Sequence, residues 1–143
     1  MKDKVKFVNA CPVFLVEDVQ RSAGFYVNIL GFTYAKHLDK NDKFIAIYRD
    51  SIEIILVEKI KGEIESNQSK YGNGYDAYIN PDSIEGVDKI YQEYKNKNVK
   101  IISEPSITDY GSYEFVIQDI DGRNLGIGLI KDKDKFFEKS NHL

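Results

Sequence analysis

The hydrophobic positions along this chain change period in an order that occurs twice. Residues 8–16 place Val13, Phe14, Leu15 and Val16 in succession, a run too short for a helix and containing β-branched residues, which predicts a buried strand. Pro12 inside that run predicts an edge or a bulge, because proline brings no N–H to a ladder. From Asp18 the pattern shifts. Val19, Ala23, Tyr26 and Leu30 recur at spacings of four, three and four, one face of a helix with Asp18 as its N-cap. Gly31 closes that helix, since glycine adopts the left-handed backbone of a helix C-terminus without a Cβ clash. Residues 32–38, 44–49 and 52–58 then read as three strands, parted by the turn-forming groups Asp39-Lys40-Asn41-Asp42 and Asp50-Ser51.

A polar stretch without period comes next at 59–73, containing Gly62, Ser66, Asn67, Ser69 and Gly72, and reads as a connector with room for a short helical turn. The first order then returns. Residues 75–80 read as a strand, and Ile84, Val87, Ile90 or Tyr91, and Tyr94 form a helical stripe. Asn98 stands where the first half has Gly31, asparagine being the second choice for a left-handed closing residue. Residues 99–103, 113–118 and 125–130 read as strands, with the Asp121-Gly122 turn between the last two. Each half is one helix on four strands and cannot enclose a core alone, whereas two halves together can. The predicted organisation is one domain over residues 1–143, with modules at 7–58 and 74–130. In the tail, residues 131–143, charges surround Phe136 and Phe137, which predicts either a short docking helix or a loose end.

Composition narrows the partners. A net charge of −3 with basic and acidic residues interspersed offers no surface for a phosphate backbone, so no nucleic-acid partner is expected. No apolar run approaches the ~18–20 residues that cross a bilayer, so no membrane partner is expected either. Met1-Lys2-Asp3-Lys4 begins like an export signal, but Asn9, Glu17 and Asp18 make the next segment too polar for one. The single cysteine, Cys11, fits a reducing compartment, and the expectation is a cytoplasmic protein.

Two stretches carry a resemblance. Pro12-Val13-Phe14-Leu15-Val16-Glu17-Asp18-Val19-Gln20-Arg21-Ser22-Ala23-Gly24-Phe25-Tyr26-Val27-Asn28-Ile29-Leu30-Gly31-Phe32 resembles the opening of vicinal-oxygen-chelate proteins, the superfamily of glyoxalases, bleomycin-resistance proteins and extradiol dioxygenases. Glu114-Phe115-Val116-Ile117-Gln118-Asp119-Ile120-Asp121-Gly122-Arg123-Asn124-Leu125-Gly126-Ile127-Gly128 resembles the family's strand, Asp-Pro-Asp-Gly turn and final strand, with Ile120 in place of the proline. The resemblance covers residues 8–130 in register. It implies an α+β fold of two βαβββ modules, a paired half-barrel around a concave ligand cup, and commonly a homodimer.

Enzymatic members hold a divalent metal through one residue on each of four strands. Carried onto this chain, those positions fall on Cys11, Glu53, Tyr75 or Asp76, and Gly126. Glycine has no ligating side chain, so the resemblance implies a depleted site and no metal cofactor. Gly126 and Gly128 are also similar to the Leu-Gly-Phe-Gly ending of antibiotic-binding relatives. His37 and His142, the only histidines, are too few and too far apart for a histidine-rich centre. No nucleophile-elbow or phosphate-loop motif is present.

Ten tyrosines and no tryptophan shift attention to the cup wall. Tyr48, Tyr71, Tyr75, Tyr78, Tyr110 and Tyr113 fall on strands or loops bordering it, each an apolar ring with a polar tip suited to stacking a planar guest. Tyr26, Tyr91 and Tyr94, on helical stripes, read as core. Glu53, Asp76 and Glu114 would supply negative potential toward a cation. The expected function is metal-free sequestration of a planar or cationic small molecule, with ligand contacts at Glu53, Tyr48, Tyr75, Asp76, Tyr78, Tyr110, Tyr113 and Gly126. The alternative is a metal-dependent lyase, isomerase or dioxygenase using zinc, nickel, manganese or iron on Glu53 with Cys11 or Asp76. A third reading is an interaction domain whose cup is filled by its own side chains.

Overall fold

The computed structural model describes residues 4–131, and the tail, beyond Lys131, lies outside the described residues. Eleven elements run in the order β1 (Val13–Val16), α1 (Val19–Asn28), β2 (Thr33–Tyr34), β3 (Phe44–Arg49), β4 (Ile52–Glu58), α2 (Asn67–Tyr71), β5 (Ala77–Ile79), α3 (Ile84–Asn96), β6 (Lys100–Ile107), β7 (Ser112–Gln118) and β8 (Asn124–Ile130). They form two four-stranded sheets with the same topology, β1-β4-β3-β2 and β5-β8-β7-β6. In each, the outer strand before the helix runs parallel to the last strand of its half, β1 to β4 and β5 to β8. This α+β architecture is the duplication expected from the two βαβββ patterns.

The helix signals act as their chemistry requires. Asp18 Oδ1 accepts from the backbone N–H of Gln20 at 2.9 Å and of Arg21 at 3.2 Å, satisfying donors the first turn of α1 leaves open. At the start of α3, Ser83 Oγ accepts from Gly86 N at 3.0 Å. After the helices, Gly31 at φ 84 and Asn98 at φ 61 take equivalent left-handed conformations, so the residue that differs between the halves performs the same turn.

One face of each sheet packs on its helix. Phe14, Val16, Ile45, Ile47, Ile54 and Leu56 meet Val19, Ala23 and Tyr26 of α1. Phe115, Ile117, Leu125 and Ile127 meet Val87, Tyr91 and Tyr94 of α3. All three helical tyrosines assigned to the core are buried. Each fully buried Ile or Leu contributes roughly 1.5–3 kcal/mol, so the shared cluster is the main cohesive term. The halves are also tied by polar bonds. Tyr26 Oη donates to Asp119 Oδ2 at 2.6 Å, Ser22 Oγ to Asp121 Oδ2 at 2.6 Å, and Tyr94 Oη to the Leu30 carbonyl at 2.8 Å. Arg49 grips Glu93 of α3 through both terminal guanidinium nitrogens, at 2.7 and 2.9 Å.

Four strands differ from the sequence reading, the fifth by shrinking from 75–80 to Ala77–Ile79. The first begins at Val13 rather than residue 8, since Pro12 offers only its carbonyl, to Ile55 N at 3.0 Å, and Val5, Phe7 and Val8 are exposed. The second shrinks from 32–38 to Thr33–Tyr34, a short exposed edge. The sixth extends to Ile107, with register breaks between Ile101 and Ser103 and between Ser103 and Ser106 that accommodate Pro105.

Candidate functional site

The site is built on the sheet faces turned away from the helices. Strand alternation sends Ile47 and Ile54 to the core, so their neighbours Tyr48 and Glu53 project from the opposite face as a cross-strand pair. Tyr48 Oη donates to Glu53 Oε2 at 2.9 Å. That bond raises the Tyr48 pKa above the ordinary phenol value, with smaller contributions from burial and from the charges of Glu53 and Cys11. Val13, Leu15 and Phe44 share this face and remain 52%, 43% and 60% exposed.

The second sheet is different. Tyr75 and Tyr78, on either side of the start of β5, stack with ring centroids 6.1 Å apart and planes at 11°. On β7, Ser112 and Glu114 alternate with the core-facing Tyr113 and Phe115. Tyr75 Oη donates to Glu114 Oε2, Tyr110 Oη donates to Glu114 Oε1 at 2.9 Å, and the Tyr78 and Ser112 hydroxyls share a hydrogen bond. Glu114 is only 3% exposed, so its carboxylate is enclosed by these hydroxyls rather than solvated on the strand face. Burial is the largest cause raising the pKa values of Tyr75, Tyr78 and Tyr110, and the Glu114 carboxyl adds to all three. These phenols stay protonated at neutral pH; Tyr75 and Tyr110 donate to the one acidic group, while Tyr78 pairs with the Ser112 hydroxyl.

The expected hollow at the last strand is filled. A Cβ built on Gly126 would lie 2.7 Å from Tyr75 Cδ2 and 3.0 Å from Tyr78 Cδ1. The tyrosine pair thus occupies the space into which a ligating side chain at residue 126 would project. Gly128 is more tightly constrained, its Cβ position falling 2.4 Å from both the Tyr113 carbonyl oxygen and Glu114 Cβ.

A cavity of about 420 Å³ lies where the two sheets meet, bordered by Pro12, Glu53, Ile54, Asp76, Tyr78 and Asn80. The structure thus brings together Glu53, Asp76 and Tyr78, with Tyr48 bonded to Glu53 and with Tyr75, Tyr110 and Gly126 behind Tyr78. Asp76 also has a structural task, accepting from Asn67 N at 3.0 Å and Asn124 N at 2.9 Å, so it clamps the connector to β8.

Tyr113 is not brought to this wall. It points toward α3, where its hydroxyl donates to Asp88 Oδ1 at 2.5 Å. Tyr71, on α2, is 70% exposed beside Lys70, and His37 is exposed with Asp39 at 3.3 Å. Ser112 is the wall residue that sequence reasoning missed. Its signal is the alternation of β7, which puts residues 112 and 114 on one face and 113 on the other.

A four-residue metal centre does not fit these side chains. The position on β8 is a glycine with an aromatic ring against it, and both oxygens of Asp76 face backbone N–H groups. Among the described residues, no group of three or more His, Cys, Asp or Glu side chains could hold an ion.

The family model of the Glyoxalase/Bleomycin resistance protein/Dioxygenase superfamily matches residues 10–127, and the chain belongs to that family. Among solved structures, a glyoxalase/bleomycin resistance protein/dioxygenase from Alicyclobacillus acidocaldarius is similar with a TM-score of 0.71 at 16% identity, covering 89% of this chain and 95% of that one. The bleomycin-binding protein of Streptomyces verticillus, in complex with copper(II)-bleomycin, has a TM-score of 0.65 at 22% identity, covering 87% and 97%. A lactoylglutathione lyase from Agrobacterium tumefaciens has 0.62 at 13%, covering 84% and 92%. At these identities the likeness is one of fold. Among curated proteins, none matches the sequence significantly.

Proposed function

We propose that this protein binds a planar or cationic small molecule against its tyrosine wall, without a metal, as a sequestering member of its family. The observation that supports this reading above the others is the cluster of Tyr75 and Tyr110 around the buried Glu114, set against a glycine strand. It provides ring faces for stacking and negative potential for a cation. The fold's likeness to a bleomycin-binding protein makes bleomycin the first probe, although one fold hosts many functions.

The functional unit we propose is a homodimer, because Val13, Leu15 and Phe44 present an apolar sheet face that a second copy would cover. A single cysteine and no disulfide fit a cytoplasmic setting.

The rival reading is a metal-dependent enzyme of the glyoxalase type, and one set of measurements decides between the two. Metal content is determined after purification without chelator, followed by thermal shifts with nickel, zinc, manganese and iron. The expected result is neither stoichiometric metal nor a stability gain. A bound metal at 100 times its dissociation constant would add about 2.7 kcal/mol, and that outcome overturns the proposal. Titration with bleomycin and with smaller planar aromatic cations, monitored by tyrosine fluorescence, is expected to show saturable binding that Glu114→Gln weakens.

A further inference from the structure

Glu114 lies buried under two phenols, and a guest that met the wall as it stands would not touch it. Its Oε2 accepts from the Tyr75 hydroxyl and its Oε1 from the Tyr110 hydroxyl at 2.9 Å. The two phenols are held differently. Tyr75 stacks on Tyr78 with ring centroids 6.1 Å apart, and its ring fills the space over Gly126, so displacing it would open a gap against β8. Tyr110 comes from the turn between β6 and β7 and remains 42% exposed.

The backbone of that turn is pinned, since Thr108 N donates to the Ser112 carbonyl at 2.8 Å and Gly111 N to the Thr108 carbonyl at 3.0 Å. The Tyr110 ring can therefore swing outward by rotation of its side chain alone, leaving the strands in place. Such a swing takes one of two donors from a buried carboxylate, and the loss is offset only if another donor arrives. A quaternary ammonium brings charge without an N–H, and a neutral amide brings an N–H without charge. An N–H on a cation brings both, and its bond to a carboxylate is stronger than that of a neutral hydroxyl.

We propose that Tyr110 is a gate over Glu114, and that the guest of the wall is an aromatic cation carrying N–H groups, such as an amidinium or a primary ammonium, which replaces the Tyr110 hydroxyl at Oε1. This rests on the reading that the wall binds a planar cation, and it narrows that class to hydrogen-bond donors. The Tyr110 hydroxyl and the guest compete for one oxygen, so the affinity of the wild type is lowered in proportion to the fraction of molecules whose gate is open. Removing the hydroxyl while keeping the ring removes that competition.

The test is a backbone amide NMR titration of the full chain with benzamidinium, phenyltrimethylammonium and benzamide, on wild type, Tyr110→Phe and Glu114→Gln. Benzamidinium is expected to give saturable shifts at Tyr110, Gly111 and Glu114, with a dissociation constant at least about tenfold below those of the other two probes. Tyr110→Phe is expected to tighten benzamidinium about three- to tenfold and to leave the quaternary ion within about twofold. Glu114→Gln is expected to erase the preference for benzamidinium over the quaternary ion. Should that variant fail to fold, Tyr110→Phe, which alters only the tip of a half-exposed side chain, still decides the question. Equal affinity for the two cations, or benzamidinium affinity that is unchanged or weaker in Tyr110→Phe, overturns the gate and leaves the sequestering wall standing. No saturable binding of either cation to any of the three proteins overturns both.

Discussion

Tyr26 Oη donates to Asp119 Oδ2 at 2.6 Å, a buried bond between side chains 93 positions apart that fastens α1 to the turn before β8. Asp119 Oδ1 meanwhile accepts from Asp121 N and Arg123 N, each at 2.9 Å. Tyr26→Phe leaves the carboxyl one donor short in a buried position, and a loss of about 1–3 kcal/mol in denaturant unfolding is expected.

The same carboxyl gives a pH dependence with a definite sign. Burial pushes the Asp119 pKa above the ordinary aspartate value, and the bonds from Tyr26 and the backbone only partly oppose it. A raised folded-state pKa stabilises the fold below the unfolded value and withdraws that stabilisation as pH rises through the folded value. Wild type is therefore expected to lose stability relative to Asp119→Asn as pH climbs from the normal aspartate range toward neutrality. Paired urea titrations at several pH values check it, and a parallel pH response of the two proteins would refute it.

Arg49 and Glu93 form a two-pronged ion pair that also reaches the Leu30 carbonyl and the Tyr94 hydroxyl. Lysine keeps the charge but not the fork, so Arg49→Lys is expected to cost about 1–2 kcal/mol, discounted because both side chains keep some contact with solvent. A double-mutant cycle with Glu93→Gln should show coupling between the two sites, whereas additive losses would show that the pair does not act as a unit.

Gly126→Glu places a carboxylate where the resemblance puts a fourth metal ligand, yet it drives atoms into the Tyr75 ring. The expected outcome is a loss of about 1–3 kcal/mol from overpacking and no metal uptake. Adding Tyr75→Ala should recover part of the stability in a thermal melt. Gly128→Ala should be worse than Gly126→Ala, because its new Cβ meets backbone atoms as well as the Glu114 side chain.

Phe44→Glu places a charge on the open face of the first sheet without touching the core. A dimer held through that face is expected to dissociate, read as a halved mass by light scattering during gel filtration, with an unchanged circular dichroism spectrum. An unaltered mass would assign the interface elsewhere.

Much of this arrangement is legible in the residues. Asp18, Gly31 and Asn98 mark helix ends by local chemistry, and β3 and β4 fall at the limits their apolar runs indicate. Strand ends are less legible where proline and edge exposure intervene, as at Pro12 and Pro105. At the site, Gly126 announces a missing side chain, but what fills the space is not readable, since the Tyr75 ring comes from the segment just before β5, about fifty positions away in the chain. Asp119 and Arg123 stand in the sequence only as parts of a turn motif, and their importance comes from contacts with Tyr26 and Leu15, far away in the chain. Counting aromatics instead of tracing the alternation along β7 misplaces Tyr113.

The polar fastenings between the halves, Tyr26 to Asp119, Ser22 to Asp121 and Arg49 to Glu93, do not depend on which polypeptide supplies each partner. A module lent by a neighbouring copy would offer the same acceptors at the same places. Any exchange of modules between two copies would therefore be limited by residues 59–73, at ~3.3–3.6 Å of reach per residue, and trimming that tether would favour exchange over pairing within one chain.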